Sequence, residues 1–186
     1  MKSLRAKIAQ QTLKLLTTYE WQSISIDMIC KKLKLNKKRI SRNFQNKDDL
    51  LKNINKYFDD FILIETKLLE KSTPRDMIFE IFMLRYDLLN QYRKSILKIF
   101  KVFKNYPKNF ILLLPSFIES IEMMAKYANI ETKGLIGVLK LKGLLIIYFS
   151  TFLIWLNDES DSLERTMTGL DNYFNQIENV LKLCKK

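Results

Sequence analysis

Residues 25–51 read SIDMICKKLKLNKKRISRNFQNKDDLL, a stretch with the punctuation of consecutive short helices. Ser25 is placed to cap a helix that carries Ile26, Ile29, Cys30 and Leu33 inward at three- and four-residue steps. A turn at Lys34 and Leu35 follows. Asn36 then caps a third helix in which Ile40 and Phe44, four apart, face a core while Lys37, Lys38, Arg39, Ser41, Arg42 and Asn43 face outward. Asn46, ahead of Lys47, Asp48 and Asp49, marks the next helix start, with acidic residues near the positive end of the dipole.

Outward from this stretch the pattern stays helical. Leu4, Ile8, Thr12, Leu15, Leu16 and Tyr19 set a first helix from about Ser3 to Thr18. Leu50, Leu51, Ile54, Tyr57, Phe58, Phe61, Ile62 and Leu68 set a long fourth helix running towards Ser72. Beyond Pro74, further helices are expected near 74–90, 91–105, 108–129 with a kink at Pro115, 132–157 and 161–184. Only four Gly and three Pro, with 47% apolar residues, leave few of the turns a sandwich or barrel needs. The expectation is an all-α fold of about nine helices. Residues 1–53 would form a helix-turn-helix domain and 54–186 a helical ligand-binding and dimerisation domain, with the long fourth helix as a rigid joint.

The charge is unevenly spread. Of the net +12, residues 1–56 carry +10, from 14 Lys/Arg against 4 Asp/Glu; residues 57–186 carry +2. A codon bias towards lysine would not confine the excess to one end, so the N-terminal third reads as a footprint for nucleic acid or another anionic surface. Lys37, Lys38 and Arg39 fall in the first turn of their helix, where the dipole disfavours positive charge by about 0.3–1 kcal/mol each. Local stability did not choose them, whereas a phosphate backbone would compensate through released counterions.

The absence of histidine and the wide separation of Cys30 and Cys184 exclude the usual zinc sites and every His-based catalytic group, so no metal, cofactor or enzymatic activity is expected. Cys30 sits in an apolar pattern as core filler. Asp158, Glu159 and Asp161 lie between two helices and read as solvated turn and capping residues. The first residues lack a signal peptide's apolar stretch. The longest apolar run, Leu144–Leu156, is interrupted by Ser150 and Thr151 and falls short of the roughly 20 residues a spanning helix needs. It reads as a buried helix of a cytoplasmic protein without stable membrane insertion.

Arg5, Ile8, Leu13, Leu16, Trp21, Ser25-Ile26, Ile29-Cys30, Leu33-Lys34-Leu35-Asn36, Ile40, Phe44, Lys47-Asp48 and Leu50-Leu51 together resemble, in order, the N-terminal pattern of TetR-family transcriptional regulators over about 50 residues. The resemblance implies that the helix Asn36–Asn43 enters the major groove of double-stranded DNA. It also implies that Ser25 and Lys47 contact phosphates, and that the C-terminal helices pair in a homodimer on a palindromic operator. The body would hold an apolar small-molecule or lipid ligand. Three residues depart from the family: its turn glycine is Lys34, its tyrosine in the third helix is Ser41, and a glycine ending the first helix is Glu20. A left-handed backbone at Lys34 would cost on the order of 1 kcal/mol.

A second set, Thr151, Ile154-Trp155-Leu156, Asp158, Ser160, Thr166, Leu170 and Ile177-Glu178-Asn179-Val180, resembles the end of the TetR-fold lipid-binding proteins of ubiquinone biosynthesis. These accessory proteins do not regulate transcription, and their likeness implies that alternative function. Met83, Phe117, Met123, Met124, Tyr148 and Phe152 are candidate ligand-lining residues because Met and aromatic side chains adapt to apolar ligands, although ordinary core packing explains the same spacing. Leu144, Ile147, Phe152, Trp155, Leu170, Phe174, Ile177 and Leu181 offer the apolar surface expected to pair two copies.

Overall fold

The computed structural model describes residues 3–40 and 44–183, whose regular elements are all helical, with no strand among them. The elements are α1 (Leu4–Thr18), a 3-10 turn (Trp21–Ser23), α2 (Ile26–Leu33), α3 (Lys37–Ile40), α4 (Lys47–Glu65) and a second 3-10 turn (Thr66–Leu68). α5 (Pro74–Gln91), α6 (Arg93–Asn105), α7 (Pro107–Tyr127), α8 (Gly134–Trp155) and α9 (Glu164–Leu183) follow. The fold is all-α, as the periodicity predicts. α7 runs through Pro115 as one helix, over nearly the range expected.

α4 stops earlier than its apolar pattern suggests. Thr73 and Asp76 cap α5 reciprocally, the Thr73 hydroxyl donating to Asp76 Oδ2 at 2.7 Å and accepting from the Asp76 amide at 3.2 Å. A proline at the first helical position also pushes the residue before it towards extended backbone. The chain must therefore leave helical geometry ahead of Thr73, and it does so at Leu69, with φ −70° and ψ 140°. In consequence Leu68 is exposed, not inward as its spacing predicts.

The helices pack as two compact units, one of Met1–Leu63 with Leu89–Ser120 and one of Ile64–Leu88 with Ile121–Lys186. In the first, Ile8, Leu13 and Leu16 of α1, Ile29, Ile40 and Phe44, Leu50, Ile54 and Phe58 of α4, and Ile96, Ile99 and Val102 of α6 are buried. Polar clasps hold these helices in register. The Ser95 hydroxyl donates to the Leu13 carbonyl at 2.7 Å, and the Asn53 amide donates to the Arg5 carbonyl at 2.9 Å. Between α4 and α7, Asn55 donates to the Ser116 and Ser120 hydroxyls, and Ser120 in turn donates to the buried Asp59 carboxylate at 2.9 Å.

The second unit is built around Phe82 and Tyr86 of α5 and Tyr148 of α8, with Phe82 and Tyr86 rings each 5.4 Å from that of Tyr148. The fully buried Arg85 guanidinium donates to the Tyr148 hydroxyl at 3.1 Å. Gly137 is required where it stands: a Cβ there would lie 2.3 Å from the Thr132 carbonyl carbon, a backbone atom that cannot swing aside.

α8 packs against α9, and Leu144, Ile147, Tyr148, Thr151 and Trp155 of the one and Thr166, Leu170 and Phe174 of the other are buried. The turn between them is fastened by Asp158. Its carboxylate accepts from the Ser160 hydroxyl at 2.6 Å, and from the Thr166 amide and hydroxyl, both at 2.7 Å. Asp158 is thus a capping residue as expected, but a buried one, not a solvated one. Burial alone would raise its pKa, but the hydrogen bonds from Ser160 and Thr166 together outweigh that and hold it down at about 2.

A carboxylate depressed by folding stabilises the folded state above its unfolded pKa of about 3.9, and that stability is lost as pH falls towards the folded value. Two pKa units correspond to roughly 2–3 kcal/mol. Asp158→Asn should therefore cost about 2 kcal/mol near neutral pH and flatten the acid limb of the stability profile between about pH 4 and pH 2. Denaturant titrations of both proteins across that range measure it.

Candidate nucleic-acid interface

The candidate interface is assembled by two capped helix starts and one left-handed turn. The Ser25 hydroxyl accepts from the Met28 amide at 3.2 Å and opens α2. The Asn36 side-chain oxygen accepts from the Lys38 amide at 2.9 Å and opens α3. Both roles follow the sequence reading, and both oxygens are engaged in capping. Between the helices, Lys34 adopts φ 52° and ψ 43°. Its amide donates to the Lys31 carbonyl, and that of Leu35 to Cys30, the paired bonds of a Schellman motif with Lys34 at the position that favours glycine. The left-handed turn therefore survives without glycine.

Glu20, the other glycine replacement, lies in extended backbone where any residue fits, and its carboxylate pairs with Lys98 at 3.3 Å.

Behind this frame, Trp21, Ile24, Ile29, Cys30, Ile40 and Phe44 are buried. Burial, and then the nearby Asp27 charge, raise the Cys30 thiol pKa, which suits the filler role read for it. On the outward side Lys31, Lys32, Lys34, Lys37 and Lys38 are all exposed. Lys37 pairs with Asp27 at 2.8 Å across the two helices, and that hydrogen bond raises its pKa. Arg39 occupies the third position of α3; Ser41, Arg42 and Asn43 lie outside the described residues.

Lys47 is put to a use the sequence did not disclose. Its ammonium donates to the Trp21 carbonyl at 3.0 Å and the Gln22 carbonyl at 2.7 Å, and lies 5.7 Å from the Trp21 ring centroid. Burial pushes its pKa down. The residue expected to meet phosphate thus spends two of its three N–H groups tying the start of α4 to the 3-10 turn. Neither this tether nor the Lys37–Asp27 pair follows from sequence spacing, because the partners are 26 and 10 residues apart.

The candidate ligand residues fall in different surroundings. Phe117 belongs to the first unit, its ring 6.1 Å from that of Phe110. The other five belong to the second unit, where Met124 and Tyr148 are buried and Met83, Met123 and Phe152 half-buried. The expected pairing surface needs correction. Leu144, Ile147, Trp155, Leu170 and Phe174 are internal core, Phe152 is half-buried, Ile177 is exposed, and the Leu181 side chain lies outside the described residues. The exposed apolar stripe of α8 is instead Leu135, Leu139, Ile146 and Leu153, on the opposite side of the helix from its buried positions. Periodicity could not choose between the faces because both are apolar. Nor is α8 a buried helix: it is long and apolar enough by composition to cross a membrane, and only 28% of that window is buried.

No family model and no curated protein matches the sequence. Solved structures do match. The TetR transcriptional regulator from Nitrosomonas europaea superposes with a TM-score of 0.74 at 19% identity, over 94% of this chain and 98% of that one. The chain has a TetR-type fold. At that identity the likeness is one of fold, and the helix-turn-helix described above sits at its N-terminus. The residues behind the second resemblance, Asp158, Ser160 and Thr166, fasten the α8–α9 turn and so serve the fold itself.

Because Lys34 holds a left-handed conformation at a helix end, Lys34→Gly should stabilise the protein by about 1 kcal/mol, raising Tm by about 2–4 °C. Thermal unfolding followed by circular dichroism checks this; an unchanged or lower Tm would mean the turn is not strained.

Proposed function

We propose that this chain is a DNA-binding transcriptional regulator acting as a homodimer, with residues 1–53 as the reading head and residues 54–186 as the ligand-binding and dimerisation body. The observation that carries the reading is a TetR-type fold whose α2–α3 pair buries its apolar side and turns five lysines outward. Set in a major groove, α3 would bring Lys37 and Lys38 to phosphates and Arg39 to base edges, where the planar guanidinium pairs with guanine, with Arg42 proposed as a second base reader. Ser25, Asn36, Ser41, Asn43 and Lys47 complete the proposed contact set. Lys37 would exchange Asp27 for phosphate, which reduces its net contribution. An apolar ligand lodged in the second unit against Met83, Met123, Met124, Tyr148 and Phe152 would release the protein from DNA, making it a cytoplasmic repressor. No catalytic step and no cofactor is involved.

The homodimer would form on the exposed stripe of α8. Leu135 is 90% exposed, Leu139 70% and Ile146 67%, a row of large apolar side chains that a solvated monomer does not ordinarily present. A two-fold axis beside this row would pair it with itself.

Salt titration of binding to random and selected duplexes tests the DNA reading. Lys37→Ala and Lys38→Ala should each weaken all duplexes and reduce the salt slope by about one unit. Arg39→Ala and Arg42→Ala should relax sequence preference by about 1–3 kcal/mol each. Wild-type protein that shows no duplex preference sinks the reading and favours a lipid-binding accessory role. For the assembly, sedimentation at micromolar concentration should give a dimer, and Leu139→Glu a monomer; a monomeric wild type refutes the proposed pairing.

A further inference from the structure

No acidic residue occurs between Asp87 and Glu119, whereas Arg93, Lys94, Lys98, Lys101, Lys104 and Lys108 do. This segment carries half of the chain's net charge, yet it lies outside the N-terminal third. α6 directs Ser95, Ile96, Ile99 and Val102 inward, so helical geometry sets Lys94, Leu97, Lys101 and Lys104 along the outward side. Lys98 is turned away to Glu20 and the Tyr19 carbonyl. At the elbow between α6 and α7, three large apolar side chains stand in solvent: Tyr106 is 55% exposed, Ile111 64% and Leu112 44%. The elbow is stiff. Pro107 opens α7, the Tyr106 amide closes α6 on the Val102 carbonyl, and the Phe103 and Phe110 rings meet at 5.7 Å across the bend.

We infer that this elbow is a docking surface for an anionic lipid bilayer, with Tyr106, Ile111 and Leu112 entering the headgroup layer while Lys101, Lys104 and Lys108 meet lipid phosphates. Charge complementarity decides the occupant. A second copy of this chain would bring the same segment of six basic and no acidic residues, and like charges would repel. A nucleic-acid duplex would satisfy the lysines but leave the three apolar side chains without a medium to enter. A bilayer offers both, because tyrosine and aliphatic side chains partition into its interface and lysines snorkel to its phosphates. Binding of this kind is peripheral and reversible, and it is independent of whether α3 reads DNA.

Co-sedimentation of the full chain with vesicles tests it. The protein should bind vesicles of phosphatidylcholine mixed with phosphatidylglycerol and ignore phosphatidylcholine alone. Lys101, Lys104 and Lys108 should each contribute about fivefold, so their joint replacement by Gln should lower partitioning about a hundredfold. Tyr106→Ser with Ile111→Ser should abolish the binding that resists added salt. All these side chains are exposed, so thermal melting should be unaltered, and Tyr106→Trp should shift its fluorescence to the blue on mixed vesicles. Equal binding to neutral vesicles, partitioning undiminished in the triple variant, or binding lost instead through Lys37→Ala and Lys38→Ala would overturn the inference. So would elbow variants that lose duplex affinity by the same factor, which would assign these lysines to DNA.

Discussion

The ammonium of Lys47, bonded to two consecutive backbone carbonyls and lying against the Trp21 ring, is the interaction on which the head of the molecule depends. It joins the start of α4 to the turn that carries the chain from α1 into α2. Carbonyls beside a buried indole need a donor, and a cation supplies one while its stem covers the ring. With that turn fixed, the cap at Ser25, the left-handed Lys34 and the cap at Asn36 set the course of α3. The lysines on the outward side are therefore presented by a rigid frame, and the cost of crowding them at a helix start falls on a frame held together elsewhere.

A different constraint governs the rear half. α8 is apolar on both sides, and only one of them is buried, with α9 packed against the helix. Asp158 fastens the turn between the two helices, its bonds to Ser160 and to both the amide and hydroxyl of Thr166 holding the start of α9. The same residues account for part of the likeness to lipid-binding proteins of this fold, so that likeness carries less information about ligand than about how the last two helices are joined.

Much of the fold could be read from the chain. The starts of α2, α3 and α4 were marked by Ser25, Asn36 and Asn46, whose side chains make the capping bonds expected of them. Pro74 marked α5 because a missing amide costs nothing at a first helical position. The misreadings share a cause. Leu68 looked inward and the pairing face of α8 looked like Leu144 and Trp155, because spacing reports which residues share a side but not which side meets a neighbour. In the candidate site, the outward lysines of α2 and α3 were legible as a charge cluster, whereas the commitment of Lys37 to Asp27 and of Lys47 to the Trp21 turn was not.

By itself the sequence determined the helical class, the order and approximate limits of the helices, and the concentration of positive charge at one end, since capping, periodicity and charge are local properties of the chain. The tertiary structure alone decided that Lys34 could occupy a glycine's conformation, that Asp158 would be buried and ionised, and that one apolar side of α8 would be left open. Each of these depends on groups distant in sequence, or on a balance between local strain and packing, and the chain's one-dimensional pattern records neither.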